Sequence, residues 1–237
     1  MSSPPTVSAS RRWGLTTATV GVGVALALII GLVPVIARLQ FTQPHLALLL
    51  SYLAVWVPLL GAVGVACYVK GSRSLSRDFG LRFRPLDLLW GLAIGLLARV
   101  AASLLEIIGY GQMGSSAVTL EQPVYDGWWV FGVILAPIIL APVIEELFFR
   151  GLLLRALLAG TAASVPIKAT AIVISAAIFA ALHIVEAGSG TAALVVGLST
   201  FVVGVLTAIL AVLTGRLGGA VIAHVTFNAL GVLPGLL

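Results

Sequence analysis

Charged residues are scarce in this chain, and their scarcity excludes most soluble folds. Only 9% of the 237 residues are charged, whereas 60% are hydrophobic. A soluble globular domain carries about 25% charged residues, so this chain lacks the polar surface that a water-soluble body needs. The composition therefore predicts an all-α fold, a polytopic transmembrane helical bundle.

Cysteine is nearly absent, and the basic residues are not concentrated in one patch. The single cysteine, Cys67, excludes an intrachain disulfide and a cysteine-rich zinc site. The net charge of +5 is the difference between 13 basic and 8 acidic residues, and the basic residues stand mostly at the ends of apolar runs. Basic residues in such places indicate which ends of the membrane spans face the cytoplasm. We therefore expect the lipid bilayer as a partner, and no nucleic acid.

Apolar runs long enough to cross a bilayer, which takes about 20 residues, recur about seven times. Pro34 is expected to kink or end the first run, with a short turn over residues 38–43. The predicted spans are residues 14–37, 44–69, 88–109, 128–158, 166–185, 191–214 and 217–233.

These runs divide the chain into three parts. Residues 1–12 are a polar tail rich in proline and serine, which we expect to be disordered and cytoplasmic. Residues 13–127 hold the first three spans and a basic loop, 70–87, that is expected to stay in the cytoplasm. Residues 128–237 hold the remaining four spans. The whole is predicted to be a multi-pass protein of the bacterial plasma membrane with a cytoplasmic amino terminus.

The third span carries two features that predict contacts inside the bundle. Gly91 and Gly95 form a small-xxx-small pair, which lets helices approach closely. Arg99 lies near the middle of the span, and Glu106 follows two turns later on the same face. Arg99 either pairs with a carboxylate or carbonyls in the bundle, or supplies a positive charge beside the glutamates of the fourth span.

The fourth span carries two adjacent glutamates, Glu145 and Glu146, inside an apolar run. A charge at bilayer depth costs about 2.5–3.5 kcal/mol on insertion scales, so each needs a partner or a function. Glu146 and Arg150 are four residues apart and share a helical face. Glu145 is rotated by about 100° from Glu146 and has no evident local counter-ion. The spacing predicts that Glu146 is held by an ion pair and that Glu145 is available.

Two further helices carry polar pairs at helical spacing. Phe179 and His183 are four residues apart in the fifth span, and so are His224 and Asn228 in the seventh. Helical bundles build their sites from inward side chains on facing helices, and burying these groups for packing alone is expensive. We therefore expect the fourth, fifth and seventh spans to share a polar cavity that admits water.

Such a cavity supports two kinds of hydrolysis. A buried glutamate can act as general base towards water that a neutral histidine holds, while a histidine N–H and an asparagine amide stabilise the developing oxyanion. Alternatively, two histidines and a glutamate, here Glu145, His183 and His224, are a common catalytic zinc set that leaves one position for water. The residue types alone do not choose between the two.

The motifs EExxxR at residues 145–150, FxxxH at 179–183 and HxxxN at 224–228, in this order on three predicted helices, resemble the CPBP intramembrane proteases. This family is also called the Abi or CAAX-protease family. It includes CAAX prenyl endopeptidases and bacterial proteins linked to bacteriocin processing or immunity. The resemblance covers residues 128–233. It implies that 128–237 form a catalytic transmembrane core that hydrolyses a peptide bond in a membrane-associated protein or peptide.

The resemblance also implies roles for individual residues. Glu145 is then the general base, His183 binds or polarises the water, and His224 and Asn228 line the oxyanion site. The residues expected to support the site are Glu146, Arg150 and Phe179. The family is grouped with metallopeptidases, but we favour the glutamate-based mechanism without a required cofactor. A divalent metal such as zinc on Glu145, His183 and His224 is the alternative.

Two other functions compete with proteolysis. Buried glutamate and histidine also serve as relays in proton-coupled transporters, although we find neither the inverted repeats nor the paired broken helices typical of that class. A catalytically silent member could act as an immunity or binding scaffold, against which the intact residues Glu145, His183, His224 and Asn228 argue.

One difficulty concerns depth in the membrane. At about 1.5 Å per residue, straight and upright helices would put Glu145 towards the inner side and His183 towards the outer side. We therefore predict a kink at Pro137 or Pro142, a tilt, or a fifth helix that starts below the membrane.

Overall fold

The computed structural model describes residues 14–113, 126–159, 164–188 and 190–236. In these ranges the regular structure is helical, and no strand is present. A short 3₁₀ turn, Leu233–Leu236, follows the last α-helix. The helices are α1 (Leu15–Thr42), α2 (Pro44–Val69), α3 (Leu75–Phe79), α4 (Pro85–Tyr110), α5 (Gly127–Leu158), α6 (Val165–Ala187), α7 (Gly190–Thr214) and α8 (Gly218–Val232).

Most of these helices can cross a membrane. Among the described residues, six helices, α1, α2, α4, α5, α6 and α7, are long and apolar enough to do so, and α8 is a shorter apolar helix. This confirms the predicted all-α, polytopic bundle of about seven spans. The tail at residues 1–12 lies outside the described residues, and so does most of the loop after α4. The division into three parts and the orientation in the membrane stay predictions.

The first helix differs from the prediction. It continues through Pro34 to Thr42, so Pro34 does not end it and residues 38–42 are helical instead of a turn. The alternative, a kink at Pro34, stays a prediction. A proline costs one backbone hydrogen bond, but unravelling a helix in lipid would leave several groups without partners. The helix stops instead at Gln43, which has the extended φ of −142°. Gln43 precedes Pro44, and a residue before proline is biased away from helical conformation.

The predicted basic loop is joined to the turn before α8. It contains α3, which the sequence did not predict, and Gly80, with φ +73°, ends this short helix. The carbonyl of Gly80 accepts from the Leu217 N–H at 2.8 Å. Asp87, at the start of α4, pairs with Arg216 at 2.6 Å. Arg155 donates to the Gly215 carbonyl at 2.8 Å, so these basic segments meet at one end of the bundle.

Close contact between α4 and α8 fixes the position of the last helix. A Cβ added to Gly91 would lie 2.5 Å from Ile222 Cγ2, and one added to Gly95 would lie 2.5 Å from the Ala223 carbonyl oxygen. Both glycines therefore permit an approach that a larger residue would prevent, as the small-xxx-small pattern predicts. The residue after Ala223 is His224, so this contact sets the depth of a predicted site residue.

Arg99 pairs with a carboxylate inside the bundle, which is the first of the two possibilities predicted for it. It forms an ion pair with Glu106 on its own helix, and its guanidinium lies 5.6 Å from the centre of the Phe227 ring. This arrangement supplies the carboxylate partner that the bundle interior requires. Arg99 is therefore part of the packing between α4 and α8.

We expect Gly95→Leu to displace α8 and to lower the thermal unfolding temperature of the purified protein in detergent by several degrees. The substituted side chain would meet the backbone of Ala223, which cannot move aside as a flexible side chain can. The control is Gly31→Leu on α1, where no atom lies within 4 Å of an added Cβ. Equal unfolding temperatures for the two variants would contradict the packing described.

Candidate active site

The helix that carries the glutamates changes its winding on both sides of them. In α5, Val130–Leu140 and Leu147–Leu153 are π-helical, and the segment Ala141–Glu146 between them is α-helical. Segments of π-helix are rare and occur frequently at functional sites. Glu145 and Glu146 thus stand at the junction between two kinds of winding.

The predicted ion pair within α5 is present and fully buried. Glu146 Oε1 lies 3.2 Å from Arg150 Nη1, and both side chains are 0% exposed. Arg150 Nη2 also donates to the Gly204 carbonyl of α7 at 2.9 Å, and the guanidinium lies 4.7 Å from the centre of the Phe179 ring of α6. Arg150 therefore connects α5 with two neighbouring helices.

His224 lies between the two glutamates. Its Nδ1 is 3.0 Å from Glu146 Oε1, and its Nε2 is 3.7 Å from Glu145 Oε2. Since an ionised carboxylate only accepts hydrogen bonds, Nδ1 carries the proton in the contact with Glu146. The sequence placed these residues in one site but did not reveal this contact, which joins positions 78 residues apart.

The second histidine is oriented by its own helix. His183 Nδ1 lies 2.9 Å from the Phe179 carbonyl oxygen. A carbonyl only accepts, so Nδ1 carries the proton and the neutral ring keeps a lone pair at Nε2. The Phe179 ring packs against both histidines, with centroid distances of 4.5 Å to His183 and 5.6 Å to His224. Phe179 is itself fully buried.

Asn228 contacts the glutamate helix through its amide. Its Nδ2 donates to the Pro137 carbonyl oxygen at 2.7 Å. The nitrogen of a primary amide carries two hydrogens. One of them serves Pro137, and the second is left for another acceptor.

The four predicted catalytic residues line one cavity of about 540 Å³: Glu145, His183, His224 and Asn228. The four side chains therefore border one cavity, while their catalytic roles stay predictions. The supporting residues Glu146, Arg150 and Phe179 are buried behind this wall. The predicted kink, tilt or lower start that would bring the helices level stays a prediction.

The comparison with known families concerns the same part of the chain. Residues 127–230 match the family model Rce1-like, described as type II CAAX prenyl endopeptidase Rce1-like. These residues are therefore similar to that family, and we refer to 127–230 as the Rce1-like segment. The match confirms the predicted family resemblance and supports an intramembrane endopeptidase with a peptide substrate. No curated protein and no solved structure matches the chain.

The Rce1-like segment does not form the cavity alone. Helices α1 and α2, which lie outside the match, contribute a largely apolar wall that includes Ile29, Val33 and Trp56. In the sequence, the first two spans have only the features of generic membrane helices, and no motif assigns them to the site. A hydrophobic residue on a lipid-like helix carries no signal that it faces a cavity, so this contribution could be found only in three dimensions.

Glu186 also lines the cavity, although it belongs to none of the three sequence motifs. Glu186 follows His183 by three residues, a spacing that puts two side chains on one helical face. That spacing was the available signal. Among the described lining residues, Glu145 and Glu186 are carboxylates and none is lysine or arginine. The cavity therefore has acidic and imidazole groups within an otherwise mostly apolar wall.

The residues present do not fit a metal ion with three protein ligands. In the part of the chain that the structure describes, no three histidine, cysteine, aspartate or glutamate side chains are grouped closely enough to hold one. In the alternative set, Nδ1 of His183 faces the Phe179 carbonyl and Nδ1 of His224 faces Glu146, so only Nε2 of each ring is left as a ligand atom. The mechanism proposed for this site therefore assigns no step to a metal.

We expect Arg150→Met to destabilise the protein strongly, because it leaves the Glu146 carboxylate buried without its cation. Removing one partner of a buried ion pair costs about 3–5 kcal/mol. Thermal unfolding in detergent should show a clear loss of stability. The double variant Glu146→Gln, Arg150→Met should recover part of it, since a neutral amide replaces the buried charge. An unfolding temperature for Arg150→Met equal to that of the wild type would contradict the role given to this pair.

Proposed function

We propose that this protein is an intramembrane endopeptidase in which Glu145 activates water to attack a peptide bond of a membrane-associated protein or peptide. The observation that carries the proposal is that the two adjacent glutamates have different surroundings. Glu146 is occupied by Arg150 and His224, whereas Glu145 lines the cavity with two histidines and an asparagine.

In the proposed first step, a water molecule is held between the Glu145 carboxylate and His183 Nε2. His183 is suited to this because its Nδ1 is engaged with the Phe179 carbonyl and Nε2 accepts a hydrogen bond from the water. Glu145 takes the other proton as general base. The water oxygen then attacks the carbonyl carbon, and the carbonyl oxygen becomes the oxyanion.

The oxyanion is proposed to be stabilised by Asn228 and His224. Asn228 offers the amide hydrogen that Pro137 does not use. His224 donates from Nε2 when its ring carries both protons, because Nδ1 is directed at Glu146. Each hydrogen-bond donor that points at developing negative charge in a site of low dielectric stabilises the transition state by several kcal/mol. The proton on Glu145 then passes to the leaving nitrogen, the C–N bond breaks, and a carboxylic acid and an amine result.

The supporting residues act on the reacting groups through their contacts. The Arg150 guanidinium keeps Glu146 in its place, and Glu146 in turn orients the His224 ring. Phe179 packs between the two imidazoles, which limits their rotation.

The character of the cavity supports an apolar substrate segment. Side chains of α1 and α2 such as Ile36, Val55 and Trp56 line it beside the polar groups. Such walls suit a peptide that arrives from the membrane, and the mechanism does not require that the peptide be prenylated. We further propose that the amino terminus is cytoplasmic and that the protein resides in the bacterial plasma membrane.

Glu145→Gln should lower the cleavage rate of a membrane peptide by about 10²–10⁴-fold, because the amide cannot accept the proton of the attacking water. The assay is cleavage in proteoliposomes by the wild type and variants, with products identified by mass spectrometry. His183→Ala should also lose most activity. The control is Asp126→Asn, a carboxylate-to-amide change at the exposed start of α5 and outside the cavity wall, where asparagine can still cap the helix.

Cleavage that persists in Glu145→Gln would remove Glu145 as the base. If no peptide from a broad set of membrane segments is cut by the wild type, the scaffold or transporter alternatives gain and the endopeptidase proposal fails.

Stripping divalent metals with a chelator, followed by removal of the chelator, should leave the cleavage rate unchanged. The reason is that the described His, Cys, Asp and Glu residues form no three-ligand group, so the proposed glutamate base works without a metal. Loss of cleavage that zinc restores would show that the site rearranges to bind a metal, against the mechanism proposed.

A further inference from the structure

The glutamate helix contains two prolines whose missing N–H groups have specific consequences in a π-helix. Proline has no backbone N–H to donate. In π-helical winding each N–H pairs with the carbonyl five residues earlier, and the Ala141 N–H does so with the Ala136 carbonyl. Pro137 therefore leaves the carbonyl of Gly132 without its partner. Pro142, five residues later, leaves the carbonyl of Pro137 without one.

Side chains from two other helices contact these same carbonyls. The Tyr52 hydroxyl of α2 donates to the Gly132 carbonyl oxygen at 2.9 Å. The Asn228 amide of α8 donates to the Pro137 carbonyl oxygen at 2.7 Å. Prolines in membrane helices are tolerated where neighbouring side chains or ordered waters bind the freed carbonyls, and here side chains of α2 and α8 do so.

The register of these contacts follows the π-helix and not the α-helix. In an α-helix the carbonyls freed by the two prolines would be those four residues earlier, at Val133 and Ile138. The two side chains instead contact the carbonyls five residues earlier. The two hydrogen bonds therefore match the wide winding of Val130–Leu140 and stabilise it relative to the regular one.

Tyr52 is held for this contact by aromatic neighbours. Its ring stacks on Trp56 with a centroid distance of 4.7 Å and meets the Phe131 ring edge-on at 6.0 Å. Tyr52 and Asn228 both line the cavity that contains Glu145. Glu145 follows Pro142 by three residues, so the winding before Pro142 determines where its carboxylate lies.

We propose that Tyr52 and Asn228 are positioning residues that fix the π-helical winding of α5 and thereby set the position of the Glu145 carboxylate in the cavity. The consequence for catalysis depends on the proposed function, in which Glu145 is the base; the consequence for the helix does not. Tyr52 lies outside the Rce1-like segment, so the proposal gives α2 a defined part in the site.

The test asks whether replacing a proline of α5 by alanine removes the effect of Tyr52→Phe. Tyr52→Phe should lower kcat by about 3- to 10-fold, the range expected for one net hydrogen bond, with little change in KM. Pro137→Ala restores an N–H that can pair with the Gly132 carbonyl. In the Pro137→Ala background, Tyr52→Phe should therefore have little further effect. The matched control is the Pro142→Ala background, which restores an N–H at the wrong place and should leave the effect of Tyr52→Phe intact.

A second measurement does not need a substrate. Hydrogen–deuterium exchange of the peptide that covers residues 130–146 should become at least about 3-fold faster in Tyr52→Phe, and Pro137→Ala should reverse this change. Absence of cleavage by the wild type would count against the proposed function alone, because the exchange result still decides whether Tyr52 stabilises α5. An effect of Tyr52→Phe that is equal with and without the Pro137→Ala substitution, or no effect at all, would overturn the proposal.

Asn228 provides a parallel test with a different expected outcome for activity. Asn228→Ala should also speed exchange over residues 130–146, and Pro142→Ala should reverse this, because its N–H can pair with the Pro137 carbonyl. Cleavage should stay low in that double variant, since the proposed oxyanion donor is still missing. Exchange that Pro142→Ala does not reverse would contradict the positioning role of Asn228.

Discussion

The ion pair between Glu146 and Arg150 lies wholly inside the bundle, and the other polar groups of the site are arranged around it. Arg150 reaches the Gly204 carbonyl of α7 and the Phe179 ring of α6, while Glu146 reaches His224 of α8. Four helices therefore meet at one pair of charges. Breaking a buried pair leaves an uncompensated charge, so the pair restricts how these helices can move relative to one another.

This constraint gives the two adjacent glutamates different environments. Glu146 Oε1 contacts both Arg150 and His224, whereas Glu145 borders the cavity and its Oε2 lies 3.7 Å from His224 Nε2. Neighbouring carboxylates with different surroundings can take different chemical roles. The remaining freedom of Glu145 is limited by the winding of α5, which Tyr52 and Asn228 stabilise from neighbouring helices.

Features that depend on local spacing were predictable from the sequence, and those that depend on distant contacts were not. The lengths of the apolar runs predicted the membrane spans. The four-residue spacing of Glu146 and Arg150 predicted the contact between them. The extension of α1 to Thr42, where a turn was expected, was not predicted because the surroundings decide whether a helix continues past a proline. The contact of His224 with Glu146 and that of Tyr52 with Gly132 join residues far apart in sequence, and neither has a local pattern that reveals it.

A double-mutant cycle between Glu146 and His224 tests the central claim most directly. The unfolding free energy in detergent would be measured for the wild type, Glu146→Gln, His224→Ala and the double variant, with no substrate needed. Residues in direct contact within one polar network couple by about 0.5–3 kcal/mol, and the 3.0 Å contact predicts a value within that range. Additive effects would contradict the account, because His224 would then not be held by the buried pair.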